Sequence, residues 1–318
     1  MDRNEFTKMM QEQLPDFIPE EFRDGLELIE TTVVKMNDQE LHGLSFRRNG
    51  EEAAPTFYLD EAYERYNNGA PAAVLMRELA DTYVKNIDTP GPGKLDLSFD
   101  AVKDDLTVRL VEIRRNREFL ANVPYMTVGN GLALICDIRM HGEDGHWRAT
   151  VTREMMEQNG YNKVRLFDHA MQDCGRLDPP VLGSMTSTLF GMTAENLLER
   201  SEPIDPEDKE PMFVLTNQEG TLGAATLFYP GVQVQIASVL DEGYTVLPSS
   251  VHEVLIVPDS AGIGRDQMRE MVREANRTVV QAKDVLSDNI YHYDPEEKTL
   301  AVVMDRERAS MVAEPGRC

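Results

Sequence analysis

Ser249, Ser250, His252 and Glu253 crowd two hydroxyls, an imidazole and a carboxyl into one short stretch, Tyr244 to Asp259, YTVLPSSVHEVLIVPD. Hydroxyl plus imidazole are the parts of an acyl-transfer nucleophile and its base. Imidazole beside carboxylate can move a proton or hold a metal. The spacing argues against the stricter versions of both. A zinc-binding helix of the H-E-x-x-H kind needs a second histidine one turn on, and position 256 is Ile. Neither serine lies in a G-x-S-x-G elbow, and the sequence places no partner acid. The two apolar runs around Pro248-Ser249-Ser250 read as strand, turn, strand, so His252 and Glu253 would point to opposite faces and not at one metal. The competing reading is a turn whose hydroxyls satisfy backbone donors beside a partly buried histidine.

Other candidates are thinner. His141 and His146 flank Gly142-Glu143-Asp144-Gly145, a compact set of metal-ligating types at a hairpin tip, where solvated polar turns are the ordinary occupants. Asp168-His169, and His292 between Tyr291 and Tyr293, read as satisfied histidines of helix and strand. Ser260-Ala-Gly-Ile-Gly-Arg265 precedes a helix, the right context for an anion. It lacks the third glycine of a dinucleotide fingerprint and the Gly-Lys-Ser/Thr ending of a P-loop. Arg114-Arg115-Asn116-Arg117 is the one concentrated run of positive charge, suited to pairing with acids or to an unspecific anion site. No cofactor and no metal is implied.

The elements that would position these groups follow from composition and pattern. The chain of 318 residues has 41% hydrophobic and 28% charged residues, an ordinary globular balance with room for two or three cores. Fifty-six acids against 32 bases give a formal net charge of −24, which repels phosphate backbones and argues against direct nucleic-acid binding. Cys136, Cys174 and Cys318 form no CxxC pair, as expected of thiols in a reducing compartment. The first residues, MDRNEFTKMMQEQLPDF, contain no signal-peptide core, and no apolar run reaches the roughly 20 residues of a spanning helix. The expectation is a cytoplasmic protein with no membrane segment.

Two Pro-rich breaks, Asp88 to Gly93 and Ser201 to Pro211, divide the chain into segments 1–90, 99–200 and 212–306. In the first, an amphipathic helix carries Phe6, Met9, Met10 and Leu14. Strands Leu26 to Val34 and Leu41 to Arg47 turn around Asn37-Asp38, and helices follow over Asp60 to Asn67 and Pro71 to Asn86. In the second, strand Leu106 to Ile113 precedes a hairpin, Leu132 to Met140 with Trp147 to Val151. Thr152 and Asn162 cap two helices, the first ended by Gly160. In the third, Met212 to Leu215 and Leu222 to Tyr229 read as a hairpin across Asn217 to Gly220. Helix Val232 to Leu240, the hairpin of the opening motif, helix Arg265 to Val280 and strands Ile290 to Tyr293 and Thr299 to Met304 complete it. The fold class is α+β: two or three packed units, each a small, mostly antiparallel sheet with helices on one side.

Several phrases occur together and in order: Pro55-Thr-Phe-Tyr-Leu59, Asn116-Arg-Glu-Phe-Leu120 with Val123-Pro-Tyr125, Phe213-Val-Leu-Thr-Asn217 running to Gly223-Ala224, Leu227-Phe-Tyr-Pro-Gly231, Leu247-Pro-Ser-Ser-Val-His-Glu-Val254 and Leu286-Ser-Asp-Asn-Ile-Tyr-His-Tyr293. With them the chain resembles, from about residue 5 to 300, a family of uncharacterised proteins common in gut clostridia and catalogued as domain of unknown function 5688. The resemblance implies a bacterial cytoplasmic setting and an α+β architecture, and leaves chemistry open. The expectation is a non-catalytic intracellular protein that binds or regulates a protein partner. The alternatives are an acidic DNA-mimicking decoy of a nucleic-acid enzyme, and a hydrolase at Ser249, Ser250, His252 and Glu253.

Overall fold

The computed structural model describes residues 1–48, 56–87, 96–142, 145–189 and 195–304. Both the Asp88 to Gly93 break and Cys318 lie outside them, as do the side chains of the His141 to His146 turn. The fold is α+β, with antiparallel pairing throughout the described strands. It divides into two compact units, Met1–Leu95 and Asp96–Cys318. The middle and last segments of the sequence therefore lie in one unit.

In the first unit, helix Arg3–Gln13 begins with a reciprocal cap: the Asp2 side chain accepts from Glu5 N–H, and the Glu5 side chain accepts from Asp2 N–H. Strands β1 (Leu26–Lys35) and β2 (Gln39–Arg48) pair from Leu26↔Arg48 to Lys35↔Gln39. Asn37 and Asp38 both adopt positive φ, 58° and 49°, the backbone twist that a tight hairpin demands and that these two residue types tolerate. A short strand not anticipated from the sequence, β3 (Thr56–Tyr58), adds to β2. Phe6, Met10, Leu14, Leu44, Phe46, Leu59 and Leu75 are buried together, each stabilising the unit by about 1.5–3 kcal/mol.

The second unit holds two sheets. In the first, β6 (Leu132–Gly142) is central. One edge pairs with β4 (Leu106–Glu112), and the other pairs in succession with β5 (Tyr125–Gly129) and β7 (Gly145–Thr150). Both faces of β4 are covered: every residue but Arg109 is buried, the polar Thr107 and Glu112 included. The second sheet has the order β13-β12-β10-β11-β9-β8, built from β8 (Pro180–Ser184), β9 (Phe213–Asn217), β10 (Tyr244–Leu247), β11 (Val254–Pro258), β12 (Tyr291–Asp294) and β13 (Thr299–Val302). Helix Lys163–Leu177, capped by Asn162, buries Leu166, Phe167, Ala170 and Cys174. Helix Arg265–Thr278 buries Met268 and Val272.

One expected element is different. Leu222 to Tyr229 is no strand but a 3₁₀ helix over Gly223–Phe228, and β9 pairs with β8 and β11 instead. The reason is steric and topological. Leu222 takes the left-handed conformation (φ 59°), and a Cβ at Gly223 would stand 2.4 Å from the Asn217 nitrogen, so the chain folds tightly back under β9. The edge left open is filled by β8 from upstream.

Buried ion pairs hold the first of these sheets together and tie it to the end of helix Lys163–Leu177. Arg148 grips Asp178 with both nitrogens, at 2.9 and 2.8 Å, and Asp137, with no exposed surface, accepts from Arg109 and from the Thr150 hydroxyl. Each buried carboxylate has its cation, without which its desolvation would be costly.

Candidate functional site

The segment between β10 and β11 packs against two others. Val251 N–H donates to Asp284 C=O, Leu286 and Ser287 N–H donate to the carbonyls of Ser249 and Pro248, and Ala224 N–H donates to Val251 C=O. The four predicted residues thus sit where three segments cross. Ser250 is buried, and its Oγ accepts from the backbone N–H of His252 at 3.0 Å, closing a hydroxyl turn. The His252 carbonyl accepts from the Thr216 hydroxyl at 2.8 Å.

The imidazole of His252 is also engaged. Its Nδ1 accepts from the backbone N–H of Leu222 at 3.1 Å, so the ring proton sits on Nε2, which faces Asp284 Oδ1 at 3.4 Å. A serine base needs a ring nitrogen accepting from the hydroxyl. Here one nitrogen holds the main chain, the other turns its proton toward a carboxylate, and Ser250 meets the backbone of His252, not its ring. Burial lifts the Glu253 carboxyl above its ordinary value and Asp284 adds to the lift, against the pull of His252 and a hydrogen bond from Ser250. The geometry therefore supports a tightly wired crossing with one elevated carboxyl. Asp284 and the Leu222 N–H were not identified from sequence, since nothing in their spacing ties them to His252.

The remaining predicted groups are dispersed. His292 Nε2 lies 3.1 Å from both oxygens of Asp259. The His169 ring stands edge-on to Phe99 at 5.2 Å. In the Ser260 to Arg265 loop, the Ser260 N–H and hydroxyl both donate to the protein's own carboxylate, Glu242, at 2.6 and 2.7 Å, which occupies the donors an anion would use. Among the described residues no group of three or more His, Cys, Asp or Glu is arranged to hold a metal.

The Arg114-Arg115-Asn116-Arg117 run forms a 3₁₀ turn, Arg114–Asn116, leading into helix Arg117–Asn122. Arg115 turns inward to the carboxylates of Glu112 and Asp288. Arg114 and Arg117 stay exposed.

Residues 3–295 match the model of a family described as Family of unknown function (DUF5688). The chain belongs to this family. Neither the curated proteins nor the solved structures contain a match to it. Of the phrases that carry the likeness, Leu247 to Val254 and Leu286 to Tyr293 meet at the crossing just described, and Phe213 to Asn217 is β9 beside it. Those DUF5688 phrases thus coincide with backbone junctions of this fold.

Proposed function

We propose that this member of DUF5688 is a non-catalytic binding or regulatory protein of the bacterial cytoplasm that acts on a protein partner. The observation that carries the reading is the engagement of His252. With Nδ1 held by Leu222 N–H and Nε2 turned to Asp284, its ring contributes to tertiary structure in place of proton transfer to a serine. Supporting the compartment, Cys136 and Cys174 are both free and buried, and burial raises both thiols, that of Cys174 to about 11. No helix among the described residues is long and apolar enough to cross a membrane.

The test is a panel of p-nitrophenyl esters and phosphates assayed with wild type, His252→Ala and Glu253→Gln, each checked for folding by circular dichroism. The expected outcome is no hydrolysis that depends on either side chain. Turnover present in wild type and lost in both folded variants would overturn the proposal in favour of the hydrolase. A parallel pull-down in low and high salt addresses the decoy reading, which the net charge of −24 favours. Capture of a nucleic-acid enzyme that salt releases would replace a general partner by that one.

A further inference from the structure

A cleft of about 510 Å³ opens in the second unit between the turn after β4, the β5–β6 turn and helix Arg265–Thr278. Glu112, Arg114, Arg117, Asn130, Arg273 and Asp288 are among its lining residues. The volume is that of a small-molecule site, within the usual range of about 300–1,000 Å³. A smaller space of about 190 Å³ adjoins it, sharing Asn130, Arg273, Asp288 and Asn289.

The charge of this cleft is opposite to that of the chain. Its acids are already engaged from within the fold. Asp288 pairs with Arg115 and accepts from Asn276 Nδ2 at 2.8 Å. Glu112 accepts from the Ser287 hydroxyl at 3.3 Å and from Asn289 Nδ2 at 3.4 Å, with Arg115 Nε at 3.2 Å. Burial raises the Glu112 carboxyl above its ordinary value, against the pull of Arg114 and Arg115. Two guanidiniums on the rim are committed less. Arg114 reaches Glu112 only at 3.9 Å with 60% of its side chain exposed, and Arg117 makes no ion pair or hydrogen bond among the described residues. Asn130 spends one hydrogen of Nδ2 on the Leu300 carbonyl and keeps a second.

We infer that this cleft binds a small oxyanion-bearing metabolite, a phosphate or a carboxylate, in the forks of Arg114 and Arg117. Planar guanidinium forks match the oxygens of either group in pairs, which a point charge cannot do. The acidic remainder of the surface excludes polyanions the size of nucleic acid and leaves the cleft to a ligand small enough to enter.

Calorimetric titration of the full chain at low salt tests the inference, with pyrophosphate as the phosphoryl probe and citrate as the carboxylate probe. Wild type is expected to bind at least one, and the probe it prefers identifies the ligand class. Arg114→Gln/Arg117→Gln should lose about tenfold or more in affinity for that probe, in keeping with hydrogen bonds between charged groups. Arg114→Lys/Arg117→Lys, which keeps the charge without the forks, should fall between the two. Both changes are at exposed positions, and an unchanged thermal midpoint without probe certifies the fold. Failure of wild type to bind either probe, or equal affinity in the Gln variant, would overturn the assignment.

Discussion

Glu253 shows how a single side chain can record its surroundings. Desolvation dominates its environment, so its carboxyl protonates more readily in the folded chain than in the unfolded one. The sign follows from linkage. A raised folded-state value favours the fold while the group is protonated, and that contribution disappears as pH rises from the ordinary carboxylate value of about 4.3 through the elevated one. Glu253→Gln removes the titration. Relative to wild type, the variant should gain stability across that interval and show a flatter pH profile in urea melts. Parallel profiles would place the elevated carboxyl elsewhere, with Glu112, which burial also raises, the next residue to substitute. His252 behaves as a residue fixed from two sides, and its substitution should cost stability by freeing Leu222 N–H in a strained, left-handed turn.

At the scale of elements, both edges of the six-stranded sheet are closed by the same device. On β8, the Asn196 side chain donates to the Pro180 carbonyl and accepts from Leu182 N–H, both at 3.0 Å. On β13, Asn130 donates to the Leu300 carbonyl at 2.7 Å and accepts from Val302 N–H at 3.3 Å. In each case one amide side chain takes the carbonyl of residue i and the N–H of residue i+2, the two outward groups that an added strand would bind first. An open edge invites pairing with another chain, and these asparagines occupy it. Asn196→Ala should destabilise the protein by about 1–2 kcal/mol, since the Leu182 N–H beneath it is poorly placed for water. Asn130→Ala, at an exposed turn, should cost less. Light scattering of the double variant is expected to reveal self-association; a monodisperse sample would mean the edges are guarded by something other than these amides.

For the whole molecule, the charge of −24 is the dominant long-range force. Like charges repel, and salt shortens their reach from about 30 Å at 10 mM to about 8 Å at 150 mM. The thermal midpoint should therefore rise over that range of NaCl. A fall would show that ion pairs such as Arg65–Glu78 outweigh the repulsion, although exposed pairs of this kind are screened by solvent and salt and contribute little. Salt should act in the opposite sense on the arginine cleft, weakening anion binding while it steadies the fold. Stability and affinity measured in one salt series would separate the two effects.

The sequence alone determined what depends on a few neighbouring residues. Asn37-Asp38 tolerates the left-handed backbone of a hairpin, Thr152 and Asn162 offer oxygens to the N–H groups of the turn they begin, and Gly160 adopts the left-handed conformation that ends a helix. The strand pair flanking Pro248-Ser249-Ser250 was legible for the same reason, as were the residues of the crossing, though not their roles. Only the tertiary structure decided the rest, because each remaining choice depended on a partner far along the chain. β9 took β8 and β11 as neighbours, so Leu222 to Tyr229 had no vacant edge to join and coiled beneath the sheet. Asp284 came to His252, and the β5–β6 turn and helix Arg265–Thr278 came to Arg114 and Arg117, by strand order and helix packing. Local conformation is set by sterics and hydrogen bonds that act within a turn, and so can be read in order along the chain. Which distant groups share a face is set by the burial of the whole core, which no short window of sequence contains.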